Sequence, residues 1–296
     1  METEGDLMRR AAIASLAVSL LLAAIKLAAF LLTNSVAMLA SFADSAMDLF
    51  TSSLNLIAIR SALQPADHEH RFGHGKAEAL AGMAQFAFIT ASAVFLVIQG
   101  VERLVTPEPL ENAPLALAVM AVSIVAAVGL IIYQRRVVAE TGSIAVTADA
   151  LHYVGDLATN FGVVVAIVLV KFVGWTHADP LIALFVAAML VWSAYHVFRQ
   201  SYDQLMDREI PDADREKIKA IVRAHPQVRA LHDLRSRMSG LNTFIQLHLE
   251  LDPAMPLIRA HEISDEVERE LCAAFPRAEV IIHQDPAGVE QVTPAA

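Results

Sequence analysis

The sequence predicts a membrane domain of about six α-helices followed by a small soluble α+β domain. Three observations predict it. The chain of 296 residues is 56% hydrophobic and has a mean hydropathy of +0.50, which is more apolar than an ordinary soluble domain. The apolar residues gather into long runs over the first two-thirds of the chain, whereas Asp, Glu, Arg and His dominate the last third. The runs are separated by turn-forming or charged segments. The expected organisation is a transmembrane domain over 1–207, a cytoplasmic domain over 208–287, and a disordered tail over 288–296.

A helix that crosses a bilayer needs about 20 mostly apolar residues. Six stretches qualify: 8–32, 36–62, 78–104, 112–138, 144–171 and 179–202. The breaks are Thr33-Asn34-Ser35, the polar segment from Gln64 to Lys76, a stretch holding Pro107, Pro109 and Pro114, Gln134 to Gly142, and Gly174 to Pro180. The apolar run from Ala11 to Leu32 follows Arg9 and Arg10. It exceeds the ~7–15 residues of a signal-peptide core, so it reads as a first span that is retained.

Orientation follows from the basic residues. Arg9, Arg10, Arg60, Arg71, Lys76, Arg135, Arg136 and Arg199 fall on one side of this arrangement, and Arg103 and Lys171 flank the other. Both termini are therefore expected in the cytoplasm, in keeping with an even number of spans.

The last third reads as helix, strand, strand, helix, strand. Asp212 is the expected cap of a helix to about Ala224. Gly240-Leu241-Asn242 reads as a turn. From Phe244 to Leu251 the pattern alternates, with Ile245, Leu247, Leu249 and Leu251 on one face and Phe244, Gln246, His248 and Glu250 on the other. Pro256 opens a helix to about Phe275, and Val280 to Ile282 forms a short last strand.

The chemistry lies in two spans. The second contains Asp44 and Asp48, and the fifth contains His152 and Asp156. Each pair is spaced i, i+4, so its members share one helix face. At 1.5 Å rise per residue both pairs fall near the bilayer midplane. A buried Asp costs roughly 2.5–3.5 kcal/mol on insertion scales, and three with a histidine cost on the order of 10 kcal/mol if unpaired. No basic residue of the neighbouring spans is expected to offset three carboxylates, whereas a divalent cation can. Three carboxylates and one imidazole suit tetrahedral Zn²⁺, while Ca²⁺ and Mg²⁺ favour six or more oxygens. The alternative is a protonated carboxylate cluster or a proton relay without metal. Because ligands must be deprotonated to bind metal, such a site can exchange metal for protons, with His152 as carrier. Asn160, one turn beyond Asp156, either orients a ligand or packs helices. Asp149 either lines an access path or sits at the membrane interface.

Other classes are disfavoured. A net charge of −10 argues against a nucleic-acid partner. The single cysteine, Cys272, permits no intramolecular disulfide. No metalloprotease, nucleophile-elbow or phosphate-loop motif is present, and four protein ligands leave no open position for a catalytic water, so no enzyme is expected. A membrane metal sensor that signals through its tail remains the competing function.

At these residues the sequence resembles the cation diffusion facilitator family, and within it the bacterial homodimeric zinc, cadmium and ferrous-iron efflux transporters. The resemblance covers nearly the whole chain. It rests on Ala43-Asp44-Ser45 through Asp48, Phe72-Gly73-His74-Gly75-Lys76, His152-Tyr153 through Asp156, and Ile282-His283-Gln284-Asp285-Pro286. It implies six transmembrane helices, a ferredoxin-like, metallochaperone-like cytoplasmic domain, a Y-shaped homodimer in the bacterial inner membrane, and Asp44, Asp48, His152 and Asp156 as the transport site. Histidine at this site goes with zinc or cadmium preference.

The resemblance also implies a loop metal site at Asp67, His70 and His74, with His68 and Glu69 as further candidates, and a salt bridge between Lys76 and Asp207. In the tail, His283 and Asp285 are i, i+2 on one strand face, and His248 lies on the less apolar face of its strand. With His232 and His261 they form a candidate set for one or two Zn²⁺ ions. The resemblance implies a binuclear regulatory zinc site there, near the dimer contact. The expected partners are Zn²⁺, Cd²⁺ or Fe²⁺ and protons as cargo, membrane lipid, and a second copy of the chain.

Overall fold

In the computed structural model, residues 3–33, 36–105, 114–175 and 177–288 are described, and the chain divides into two units, Met1–Tyr202 and Asp203–Ala296. The expected tail over 288–296 lies, apart from Gly288, outside the described residues.

The first unit is built from six long helices: α1 Glu4–Thr33, α2 Val36–Ala62, α3 Lys76–Val105, α4 Pro114–Thr141, α5 Ile144–Val173 and α6 Ala178–Leu205. Among the described residues, four of them (α1, α3, α4 and α6) are long and apolar enough to cross a membrane. The other two, α2 and α5, carry the ionisable residues singled out above. The segment ends follow local chemistry: Gly142, at φ +64, takes the left-handed conformation that closes α4, and its N–H reaches Val138 O at 2.8 Å. Large apolar side chains such as Leu32, Phe172, Phe185 and Trp192 point outward, as befits a unit whose solvent is hydrocarbon.

Inside this unit small residues bring helices close. A Cβ on Gly82 of α3 would meet Ser201 Oγ of α6 at 2.2 Å, and one on Gly155 of α5 would meet Leu190 Cδ2 of α6 at 2.5 Å. Buried polar groups find one another. Ser15 of α1 and Ser52 of α2 are 2.9 Å apart, and the Tyr153 hydroxyl of α5 lies 3.3 Å and 3.2 Å from them. Asp149 is fully buried and accepts from Gln134 Nε2 at 2.6 Å, so it links α5 to α4. Glu78, also buried, accepts from Ser143 Oγ at 2.5 Å and from the Ala145 N–H at 3.3 Å. It thereby satisfies first-turn donors of α5 that no helical carbonyl can reach.

The second unit runs α7 Asp212–Ala224, β1 Ala230–Ser239, β2 Asn242–Leu251, α8 Leu257–Ala274 and β3 Ala278–Pro286. The sheet order is β1-β2-β3. β1 and β2 form an antiparallel hairpin around Gly240, while β3 returns parallel to β2 after the α8 crossover. Ile245, Leu247, Leu249 and Leu251 are all buried on the face covered by α7 and α8, against Ile218, Val222, Ile263, Val267 and Leu271. The α+β reading holds, with two differences. Pro211, not Asp212, stands at the cap of α7, without a side-chain cap bond. β3 spans nine residues because its backbone continues to pair with β2 as far as Leu251↔Pro286, well beyond its apolar stretch.

Candidate metal centres

The midspan group is assembled from α2 and α5. His152 Nε2 is 3.0 Å from Asp48 Oδ1 and 3.7 Å from Asp156 Oδ2. One ligand atom from each of these three residues lies within 4.8 Å of the others, close enough for one ion. The i, i+4 spacing places His152 and Asp156 together, and the α2·α5 packing brings Asp48 across. Asp44 is not in this group; it is exposed, one turn before Asp48 on α2. One basic residue of the neighbouring spans does stand near the group. Lys26, in the last third of α1, donates from Nζ to Ser45 Oγ at 2.7 Å. One ammonium is too few to offset three carboxylates.

The loop between α2 and α3 forms a second group of Asp67, His70 and His74, again with ligand atoms within 4.8 Å. Asp67 organises it: Oδ1 accepts the N–H groups of Glu69 at 2.9 Å and His70 at 2.6 Å, and Oδ2 lies 3.3 Å from His74 Nε2. The His70 backbone hydrogen bond, with that of Glu69 and the neighbouring histidines, outweighs burial and holds the Asp67 carboxyl below its ordinary range. His68 and Glu69 are outside the group.

The third group sits on the open face of the sheet. His232, His248 and His283 stand side by side in register across β1, β2 and β3, and Glu250 pairs with Asp285 two residues further along. Asp285 Oδ2 lies 3.3 Å from His232 Nε2 and 2.8 Å from His248 Nδ1, and its Oδ1 lies 3.3 Å from His283 Nε2. Burial alone would raise the Asp285 carboxyl, but the His248 hydrogen bond and the three imidazoles outweigh it, and the net shift is downward.

Two further carboxylates join the row that the sequence reading did not name as ligands: Glu250 Oε1, 3.2 Å from His232 Nδ1, and Asp233 Oδ2, 3.7 Å from His248 Nε2. A β-bulge between His232 and Arg235, with Asp233 at φ 46, turns that side chain toward His248. His261 does not join; it lies on α8 beside Asp265, at 3.7 Å. Asp207 accepts from Arg237 Nη1 at 3.2 Å.

These arrangements can be set beside known proteins. The cation efflux transmembrane domain matches residues 12–206, and the cation efflux protein cytoplasmic domain matches residues 210–287. The cation-efflux pump FieF of Klebsiella pneumoniae is 45% identical over 288 residues, covering 97% of this chain and 96% of that protein. The pump of the same name from Shewanella oneidensis is 48% identical over 280 residues, covering 95% and 94%. Among solved structures, the metal-bound C-terminal domain of the CzcD transporter from Thermotoga maritima is 27% identical, with a TM-score of 0.26, covering 28% of this chain and all of that one. The chain belongs to the cation efflux, or cation diffusion facilitator, family. It is a multi-pass membrane transporter that exports metal cations and carries a cytoplasmic domain of the family's dimerisation type.

Proposed function

We propose that the protein exports Zn²⁺ from the cytoplasm in exchange for protons, by alternating access around Asp44, Asp48, His152 and Asp156, with Cd²⁺ or Fe²⁺ as further cargo. The observation that carries this reading is the convergence of Asp48, His152 and Asp156 from two helices on a space that one ion fits. Two carboxylates and an imidazole match the ligand preference of Zn²⁺. Asp44, one turn away on α2, completes a tetrahedral set by turning inward when the ion arrives.

Metal and proton compete for the same atoms, which supplies the coupling. The protein acts as a homodimer in the bacterial inner membrane with both termini cytoplasmic, in line with the placement of Arg and Lys along the chain. Zn²⁺ held by the row of His232, His248, His283 and Asp285 is a regulatory ion that ties two copies together. The Asp67, His70 and His74 loop is a further zinc site.

A sensor without transport needs only the soluble row and gives the ionisable groups of α2 and α5 no role. Proteoliposomes loaded with a pH dye test the proposal. Zn²⁺ added on the cytoplasmic side should drive proton movement in the opposite direction, and Cd²⁺ should do the same. Zn²⁺ uptake without proton movement would remove the exchange.

A further inference from the structure

Two buried carboxamides lie between α2 and α3 without a hydrogen-bond partner. Asn55 is 2% exposed and Gln85 is 3% exposed, and neither the oxygen nor the nitrogen of either side chain has a partner among the described residues. Both line the same cavity, with Thr51, Leu54 and Phe88 among its other walls. Its ≈ 20 Å³ of room exceeds the roughly 10–15 Å³ that one water needs. Unpaired amides inside a membrane protein are costly, because hydrocarbon offers no substitute partner.

The chemistry of the two groups selects the occupant. A carboxamide presents both N–H donors and lone-pair acceptors. A bare metal cation would satisfy the oxygens and leave the N–H groups unpaired. Water donates and accepts, so it can serve both kinds of group. The cavity also adjoins the transport helix: Thr51, one of its walls, donates from Oγ1 to the backbone carbonyl of Asp48 at 3.0 Å, and Asn55 lies two turns beyond Asp48 on α2.

We propose that Asn55 and Gln85 hold a structural water between α2 and α3, and that this water is a station at which an ion leaving or reaching Asp48 exchanges its hydration shell. The second half rests on the transport reading given above; the first does not. Gln85 and Asn55 are then positioning residues, acting on the ion through water and not as ligands.

A high-resolution structure of the full chain in a lipid nanodisc tests the first half in the wild type. Density for a water within hydrogen-bonding distance of both side chains is expected. The two amides bonded directly to each other, a dry cavity, or a metal ion between them would each overturn it.

For the second half, Gln85→Leu and Asn55→Leu should each lower the maximal Zn²⁺ flux in proteoliposomes by about tenfold, the effect of one lost hydrogen bond. The equilibrium Zn²⁺ affinity of the membrane site should stay within about twofold, since no ligand is removed. Gln85→Glu, which keeps an acceptor, should recover part of the rate. Unchanged maximal flux in both leucine variants, or a loss of affinity equal to the loss of rate, would overturn the station. If Asp48→Ala keeps wild-type flux, the transport reading fails while the water remains.

Discussion

His152 Nε2 on α5 and Asp48 Oδ1 on α2 lie 3.0 Å apart, although 104 positions separate them in the chain. With the contact of Ser52 and the Tyr153 hydroxyl, this pairing ties α2 to α5 inside a unit whose exterior is apolar. Replacing Asp48 by Ala should lower Zn²⁺ flux by at least on the order of 100-fold, more than loss of an outer-sphere partner costs. Zn²⁺ binding by the cytoplasmic row should persist. Stopped-flow fluorescence in proteoliposomes, paired with binding to the same preparation, checks both.

Glu78 gives a prediction about positioning. Its carboxylate holds the first turn of α5, the helix of His152 and Asp156, through Ser143 and Ala145. Glu78→Ala leaves those donors unpaired and should cost about 1–2 kcal/mol, the usual scale for a lost cap. Glu78→Gln keeps an acceptor and should cost less. Thermal unfolding of the purified protein measures the difference between the two variants.

The cytoplasmic row predicts a linkage between zinc and assembly. His232→Ala together with His283→Ala should abolish zinc-dependent association of the cytoplasmic units, read by light scattering or by distances between spin labels across a zinc titration. Glu250→Gln should weaken it to a smaller degree, because the Glu250 carboxylate reaches the row at the His232 imidazole, 3.2 Å away, and its replacement removes no imidazole. Association that ignores the double substitution would dismiss the row as a regulatory site.

Acid should weaken one joint of the second unit. His225 Nε2 lies 2.9 Å from Glu266 Oε2. That hydrogen bond, assisted by Arg259 and only partly opposed by burial, holds the Glu266 carboxyl below its ordinary range. A carboxyl lowered on folding contributes stability that is present above its unfolded pKa, about 4.3 for Glu, and is lost as pH falls through the folded value. Glu266→Gln should therefore lower the thermal midpoint of the cytoplasmic unit at neutral pH. The gap from wild type should close as the pH drops below about 4. A gap that is constant across pH would assign the effect to packing.

Leu247 lies at the centre of the same unit and is 1% exposed. Leu247→Ala removes a buried side chain from the sheet face under α7 and α8 and should cost about 2–5 kcal/mol, measured by chemical denaturation of the cytoplasmic unit.

Much of this architecture was legible in the sequence because it rests on periodicity. Alternation at Ile245, Leu247, Leu249 and Leu251 revealed β2, and the i, i+4 spacing on α5 anticipated that His152 and Asp156 stand together, whereas of the α2 pair only Asp48 joins them. What escaped depends on register and on long side chains. The in-register row of His232, His248 and His283 gains Glu250 and Asp233 only through strand pairing and the bulge after His232. His261 has the residue type of a ligand but sits on α8, paired with Asp265. Lys26 is hidden in an apolar run, and its reach to Ser45 cannot be read from spacing. Glu78 looks like an ordinary first-turn acid of α3 until α5 is placed beside it.

The most direct test is to locate the ion. Zinc-edge anomalous diffraction from crystals of the full chain at saturating Zn²⁺ should place a metal about 2.0–2.2 Å from His152 Nε2 and from oxygens of Asp48 and Asp156, with Asp44 drawn in as the fourth ligand. Metal at the Asp67 loop and the His232 row, with none between α2 and α5, would contradict the account.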